Sequence, residues 1–173
     1  MNKKTNLLAV TALFAAAITI VTYFHISVGS MGGYVHVGDA FIYLAASLLP
    51  LPYAIAAAAV GAGLADLLSG SLIWVLPTLI IKPLMAMMFT SRNQKLLNKR
   101  NVIAMFSAGI ICIVGYAAAE VIILLVSGSE IEAALITAAT SAVAGVLQPI
   151  ASAMLYLIVA YAAGDKIKNQ KIN

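Results

Sequence analysis

The chain has 173 residues, of which 63% are hydrophobic and 9% charged, and its mean hydropathy is +1.04. A soluble domain carries about 25% charged residues, and a domain of this size leaves too much surface in water to hide so much apolar chain. A soluble enzyme or binding domain is therefore excluded, and lipid is the remaining solvent. A β-barrel is excluded too: its strands alternate polar and apolar residues, whereas here the apolar runs are continuous and rich in Ala, Leu and Ile.

A spanning helix takes about 20 apolar residues, which leaves room for about six. The first predicted span, residues 7–28, follows Lys3 and Lys4. It is too long for a signal-peptide core and lacks a small-residue cleavage site near its end, so it reads as a retained helix. The second, 37–49, is short and ends at Pro50-Leu51-Pro52. The third, 53–68, leads through a Ser69-Gly70-Ser71 turn to the fourth, 72–89. A polar loop over 90–101 precedes the fifth span, 102–126, and a turn over 127–130 follows it. The sixth, 131–163, is longer than a span requires, and Pro149 predicts a bend within it. The expected fold is a single domain over 1–173, an all-α membrane protein built as a six-transmembrane-helix bundle.

The charges orient the bundle. Lys3 and Lys4 precede span one, Arg92, Lys95, Lys99 and Arg100 lie between spans four and five, and Lys166, Lys168 and Lys171 follow span six. With six spans these segments share one side, which the positive-inside rule makes the cytoplasm, with both termini there. The basic residues thus act as topology signals and contacts to anionic membrane lipid. They do not form a nucleic-acid surface, so the net charge of +4 implies no nucleic-acid partner.

Small residues recur four apart, at Ala12 and Ala16, Ala57 and Gly61, and Ala59 and Gly63. Such stripes let helix backbones approach closely in lipid. In span three they point to packing within the bundle; in span one, packing and docking to another membrane protein both stand.

Ionisable residues inside a membrane segment are functional candidates. Asp39 and Asp66 fall near the outer ends of their spans, Lys82 near the middle of span four between Pro77 and Pro83, and Glu120 about two turns inside span five. Gln148 lies deeper, beside Pro149, while Tyr34, His36 and Trp74 stand at the outer side. This polar set runs from the surface inward, as a pocket opening outward would. Structural alternatives remain: Asp39 as a helix cap, Lys82 as a counter-ion to Asp66 or Glu120, Trp74 as an interfacial anchor. Cys112 sits in an apolar run and reads as packing. His25 and His36 lack metal-ligand spacing, and no nucleophile-elbow, phosphate-loop or zinc-protease motif occurs. No enzyme, metal or cofactor is expected.

The run Gly33-Tyr34-Val35-His36-Val37-Gly38-Asp39-Ala40, then Ala65-Asp66-Leu67-Leu68, then Pro77-Thr78-Leu79-Ile80-Ile81-Lys82 resembles the substrate-binding S components of energy-coupling factor (ECF) transporters. The similar branch is that of riboflavin, hydroxymethylpyrimidine and pyridoxine-type carriers. Gly115-Tyr116 with Glu120, and Leu147-Gln148-Pro149, match its fifth- and sixth-helix polar positions. The resemblance covers nearly the whole chain and departs from related patterns where Tyr-Val-His-Val stands in place of an Asn-rich loop. It implies a bacterial plasma-membrane, multi-pass subunit that takes a small water-soluble vitamin or precursor from outside. Tyr34, His36 and Trp74 would stack on or cover the ligand, and Tyr116, Glu120 and Gln148 would bind it. Asp39, Asp66 and Lys82 would form scaffold or pocket rim. It further implies a transmembrane coupling subunit docking at Ala12 and Ala16, and two cytoplasmic ATPases. Two other readings stay open: a stand-alone proton-coupled carrier or channel using Glu120 and Lys82, and a ligand-free assembly subunit.

Overall fold

The computed structural model describes residues 2–27, 34–91 and 96–167, with the backbone alone at 27, 34 and 164–167. Its helices are α1 (Lys3–Tyr23), α2 (Asp39–Leu48), α3 (Leu51–Leu68), α4 (Leu72–Met87), α5 (Lys99–Val126), α6 (Ile131–Gly145) and α7 (Leu147–Ile167). Between α1 and α2 a two-residue ribbon forms, β1 (Ile26–Ser27) antiparallel to β2 (Tyr34–Val35), with Ile26 opposite Val35. The side chains of Tyr34 and Lys166, and Arg92, Lys95, Lys168 and Lys171 altogether, lie outside the described residues.

Among the described residues, four helical stretches are long and apolar enough to cross a membrane: α1, α3, α5 and the α6–α7 run Ile131–Ala163. The second predicted span is shorter than expected. Helix α2 has 10 residues, about 15 Å at 1.5 Å per residue, against about 30 Å of hydrocarbon. Val37 and Gly38, counted as helical from their apolarity, belong to the approach segment, residues 34–38 ahead of α2, and Pro50 stops the other end because the residue before a proline avoids helical geometry. The loop predicted over 90–101 also ends early. Asn98 caps α5 by accepting from Asn101 N at 2.9 Å, so Lys99, Arg100 and Asn101 form the first turn of the helix.

The turns follow local chemistry. After α3, Gly70 at φ +77° lets its own N–H reach Leu67 O while Ser71 N reaches Asp66 O at 2.9 Å. After α5, Gly128 at φ +90° repeats this pattern with Leu125 and Leu124. Both satisfy the last carbonyls of a helix through a left-handed residue that glycine adopts without a Cβ clash. The bend predicted at Pro149 appears just before it: α6 and α7 meet at Val146. Proline cannot donate to the carbonyl four residues back, here Gly145, and its ring crowds that carbonyl, so the helix breaks there.

Helices α1 and α3 pack closely, as do α3 and α4. A Cβ on Gly61 would meet Ala15 O at 2.7 Å and Ile18 Cβ at 2.8 Å, and Thr19 Oγ1 donates to Gly61 O at 2.9 Å. Gly63 similarly faces Leu79 of α4. On α1, Thr11 and Ala15 turn inward, whereas Ala12 and Ala16 are exposed.

Two networks hold the helix end at which α1 and α5 begin. Asn101, fully buried, accepts from Thr90 N at 2.9 Å, and its Nδ2 lies 3.0 Å from Leu96 O and 3.1 Å from both Thr90 O and Ser47 Oγ. Tyr156 donates to Leu96 O at 2.6 Å and sits 2.9 Å from Ser47. Its ring packs edge-on against Tyr43 and Phe89, which stack on each other with centroids 4.8 Å apart. This end is closed; the cavity lies toward the other.

The Gly61 contact gives a direct test. Gly61→Ala should destabilise the protein by about 1–3 kcal/mol through overpacking, read as a lower thermal unfolding midpoint. The same change at Gly145, where a Cβ meets nothing within 4 Å, should leave the midpoint unchanged or slightly higher.

Candidate functional site

The site starts from a charge that lipid and protein interior both penalise. Lys82 is 1% exposed and Asp39 is fully buried. The Lys82 ammonium donates to Asp39 Oδ1 at 2.7 Å, and Gln148 Nε2 donates to Asp39 Oδ2 at 2.7 Å. Cys112 Sγ lies 3.9 Å from the same oxygen. Asp39 is also the first residue of α2, where the helix dipole favours a carboxylate. It makes no capping bond; Gly38 occupies the cap. The counter-ion of Lys82 is thus Asp39, and neither Asp66 nor Glu120. The Tyr116 ring covers the ammonium, with its centroid 5.1 Å from Nζ.

Above this floor opens a cleft with about 700 Å³ of empty space, its open mouth included. Its apolar and aromatic wall is formed by Trp74 of α4 and by Ile113, Tyr116 and Ala117 of α5. The Trp74 and Tyr116 ring centroids stand 5.9 Å apart at 57°. Polar groups converge from several helices. Thr78 hydroxyl lies 2.8 Å from Tyr116 OH and also hydrogen-bonds Asp66. Ser141 of α6 donates to Glu120 Oε1 at 3.0 Å. Gln148 borders the floor, and His36 reaches in from the approach segment.

His36 is held by its neighbours. Its Nδ1 accepts from Gly38 N at 3.0 Å. A Cβ on Gly38 would collide with Thr22 Oγ1 of α1, so glycine lets the approach segment lie against that helix.

Of the predicted site residues, His36, Trp74, Tyr116, Glu120 and Gln148 line this one cleft, together with Asp66. Lys82 and Asp39 lie beneath it. Ala12 and Ala16 stand on the exposed face of α1. A relay between Glu120 and Lys82 gains nothing from the geometry, since each has another partner. Thr78, Ser141 and Cys112 line the cleft and were not singled out for binding by sequence reasoning. Spacing held the signal: Trp74, Thr78 and Lys82 recur every four residues on α4, and Cys112, Tyr116 and Glu120 on α5, which places each set on one helix face. No group of three or more metal-binding side chains occurs among the described residues.

A family model described as "ECF-type riboflavin transporter, S component" matches residues 2–163. No curated protein and no solved structure matches the chain.

The buried pair generates a test. Lys82→Met should destabilise by about 3–5 kcal/mol, because it leaves a buried carboxylate without its counter-ion. The double change Lys82→Met with Asp39→Asn should recover most of that loss in thermal unfolding.

Proposed function

We propose that this chain, which belongs to the family of ECF-type riboflavin transporter S components, captures a planar heteroaromatic vitamin of the riboflavin class in the cleft beneath the approach segment. That family is one of transporter substrate-binding components and not of enzymes. S components work with a transmembrane coupling subunit and ATPases, and this chain would deliver its ligand to such a module.

The carrying observation is the cleft itself. Ligand pockets are mostly apolar, with a few converging polar groups that set orientation. Here Trp74 and Tyr116 offer flat surfaces, and Thr78, Glu120 and Ser141 offer hydrogen bonds at the wall. In our reading the aromatic pair stacks on the ligand ring, and Glu120 with Gln148 meets its heteroatoms. His36 covers it from the approach segment, and Asp66 completes the rim.

The membrane arrangement we propose has six crossings, with both termini in the cytoplasm. In the second crossing α2 supplies one half and the approach segment the other. Non-helical backbone is tolerated at membrane depth where it is buried in protein or lines a cavity. The cleft would then open outward, since the basic residues at the starts of α1 and α5 mark the opposite side as cytoplasmic. The exposed Ala12 and Ala16 give α1 a flat outward strip on which a coupling helix can approach closely.

The test is equilibrium binding of purified protein to riboflavin by flavin fluorescence, with pyridoxine and hydroxymethylpyrimidine as competitors. Saturable riboflavin binding is expected, and Trp74→Ala should weaken it ~10-fold or more through lost stacking and burial. Glu120→Gln should weaken it less than Trp74→Ala. Absence of binding to all three vitamins would overturn the proposal.

A further inference from the structure

The hydroxyls of Tyr43 and Ser152 are fully buried and have no hydrogen-bond partner among the described residues. A buried hydroxyl without a partner costs stability, and native interiors leave few such groups. The two positions are related by register. On α2, Tyr43 lies four residues after Asp39 and four before Ser47; on α7, Ser152 lies four after Gln148 and four before Tyr156. Asp39 meets Gln148 at 2.7 Å, and Ser47 meets Tyr156 at 2.9 Å. Tyr43 and Ser152 are therefore the middle rung between two rungs that are closed.

Both side chains lean the same way. A helical side chain tilts toward the N-terminus of its helix. The two closed rungs make α2 and α7 parallel, so Tyr43 and Ser152 both lean toward the cleft floor. The Tyr43 hydroxyl is within electrostatic reach of Asp39, Lys82 and Cys112. One turn beneath Lys82, Cys112 and Gln148 stand Ala86, Ala108 and Ser152, all buried. Small side chains on three helices favour room at this level, and about 10–15 Å³ is enough for one water. None of these residues is charged, and Asp39 and Lys82 above them are already paired at 2.7 Å. The level therefore suits a small neutral molecule that can both donate and accept, and not an ion.

We infer that a single water molecule binds between α2 and α7 beneath the cleft floor, bridging the hydroxyls of Tyr43 and Ser152. Tyr43 donates to the water, and the water donates to Ser152 Oγ. The bridge closes the middle rung, so polar contacts join α2 to α7 at every turn from the cleft floor to the closed end. A slide of one helix along the other would break all three rungs at once. The site stands on the core alone and is independent of what the cleft binds.

The test pairs a high-resolution crystal structure of the full chain with thermal unfolding of Tyr43→Phe, Ser152→Ala and the double variant. A density peak is expected within ~3 Å of both hydroxyls, and none at that place in the double variant. Each single change should lower the unfolding midpoint by about 2–4 °C. The double variant should lose less than the sum of the two, because both hydroxyls serve one water. Unchanged or higher midpoints in the single variants would overturn the site, since apolar replacement of an unpaired hydroxyl is neutral or stabilising. Strictly additive losses would overturn it as well. So would a structure without the peak, in which Tyr43 bonds Ser152 directly or Ser152 turns back to the Gln148 carbonyl.

Discussion

Asp39 and Lys82 cannot be separated without leaving a full charge in a dry interior, and much of the molecule is arranged around that constraint. Lys82 lies ten residues beyond Leu72, the start of α4, about 15 Å along the helix. For Asp39 to meet it, α2 must begin at that depth, well below the end of the bundle. The chain leaving α1 therefore has to descend before α2 can start. The ribbon, His36 and Gly38 make that descent, and the space beside it is the cleft. Gln148 ties α7 to the same carboxylate at 2.7 Å, so four helices converge on one oxygen pair. A buried ion pair adds little stability over a well-packed apolar alternative. What it adds here is registry, because only one depth for α2 satisfies both charges.

The pairing also sets the relation between α2 and α7. Asp39 meets Gln148 and Ser47 meets Tyr156, eight residues further along each helix. The two helices thus run parallel and in step, about 12 Å between contacts. At the lower contact Asn101 and Tyr156 gather the backbone carbonyls of the loop before α5. The bundle is therefore polar-locked at one end and at its middle, while its other end is held by two glycine turns and is open between them.

Much of this was legible in the sequence where the signal is one of solvent. Continuous apolar runs located the helices, because lipid demands them, and Gly70 and Gly128 marked turns because those positions need positive φ. The depth at which α2 begins was not legible. Val37 is as apolar as its helical neighbours, so hydropathy extended the helix through it; only the partner of Lys82 reveals where the helix starts. That partner is 43 positions away, and the counter-ions that the sequence offered were Asp66 and Glu120, not Asp39. Asn101 was read as loop because asparagine is polar, yet it is buried, since its amide replaces the water that the loop carbonyls would otherwise bind. Trp74, Tyr116 and Glu120 were legible as candidates because bulky aromatics and charges are conspicuous in a membrane segment. Thr78 and Ser141 were not, because a hydroxyl can satisfy itself within its own helix and so raises no alarm.

Helix α6 packs almost wholly on α5 and touches α7 lightly, with Ala134 and Ala138 as its buried residues. The side it turns to the cleft carries Ser141, Ala142 and Gly145, all small. Substitutions on that strip would reshape the cleft without reaching the ion pair or the α1–α3 contact, and the break at Val146 uncouples it from the register of α7. Such a wall is where ligand preference can diverge by single substitutions in descendants of one scaffold, while the floor that positions it is inherited intact.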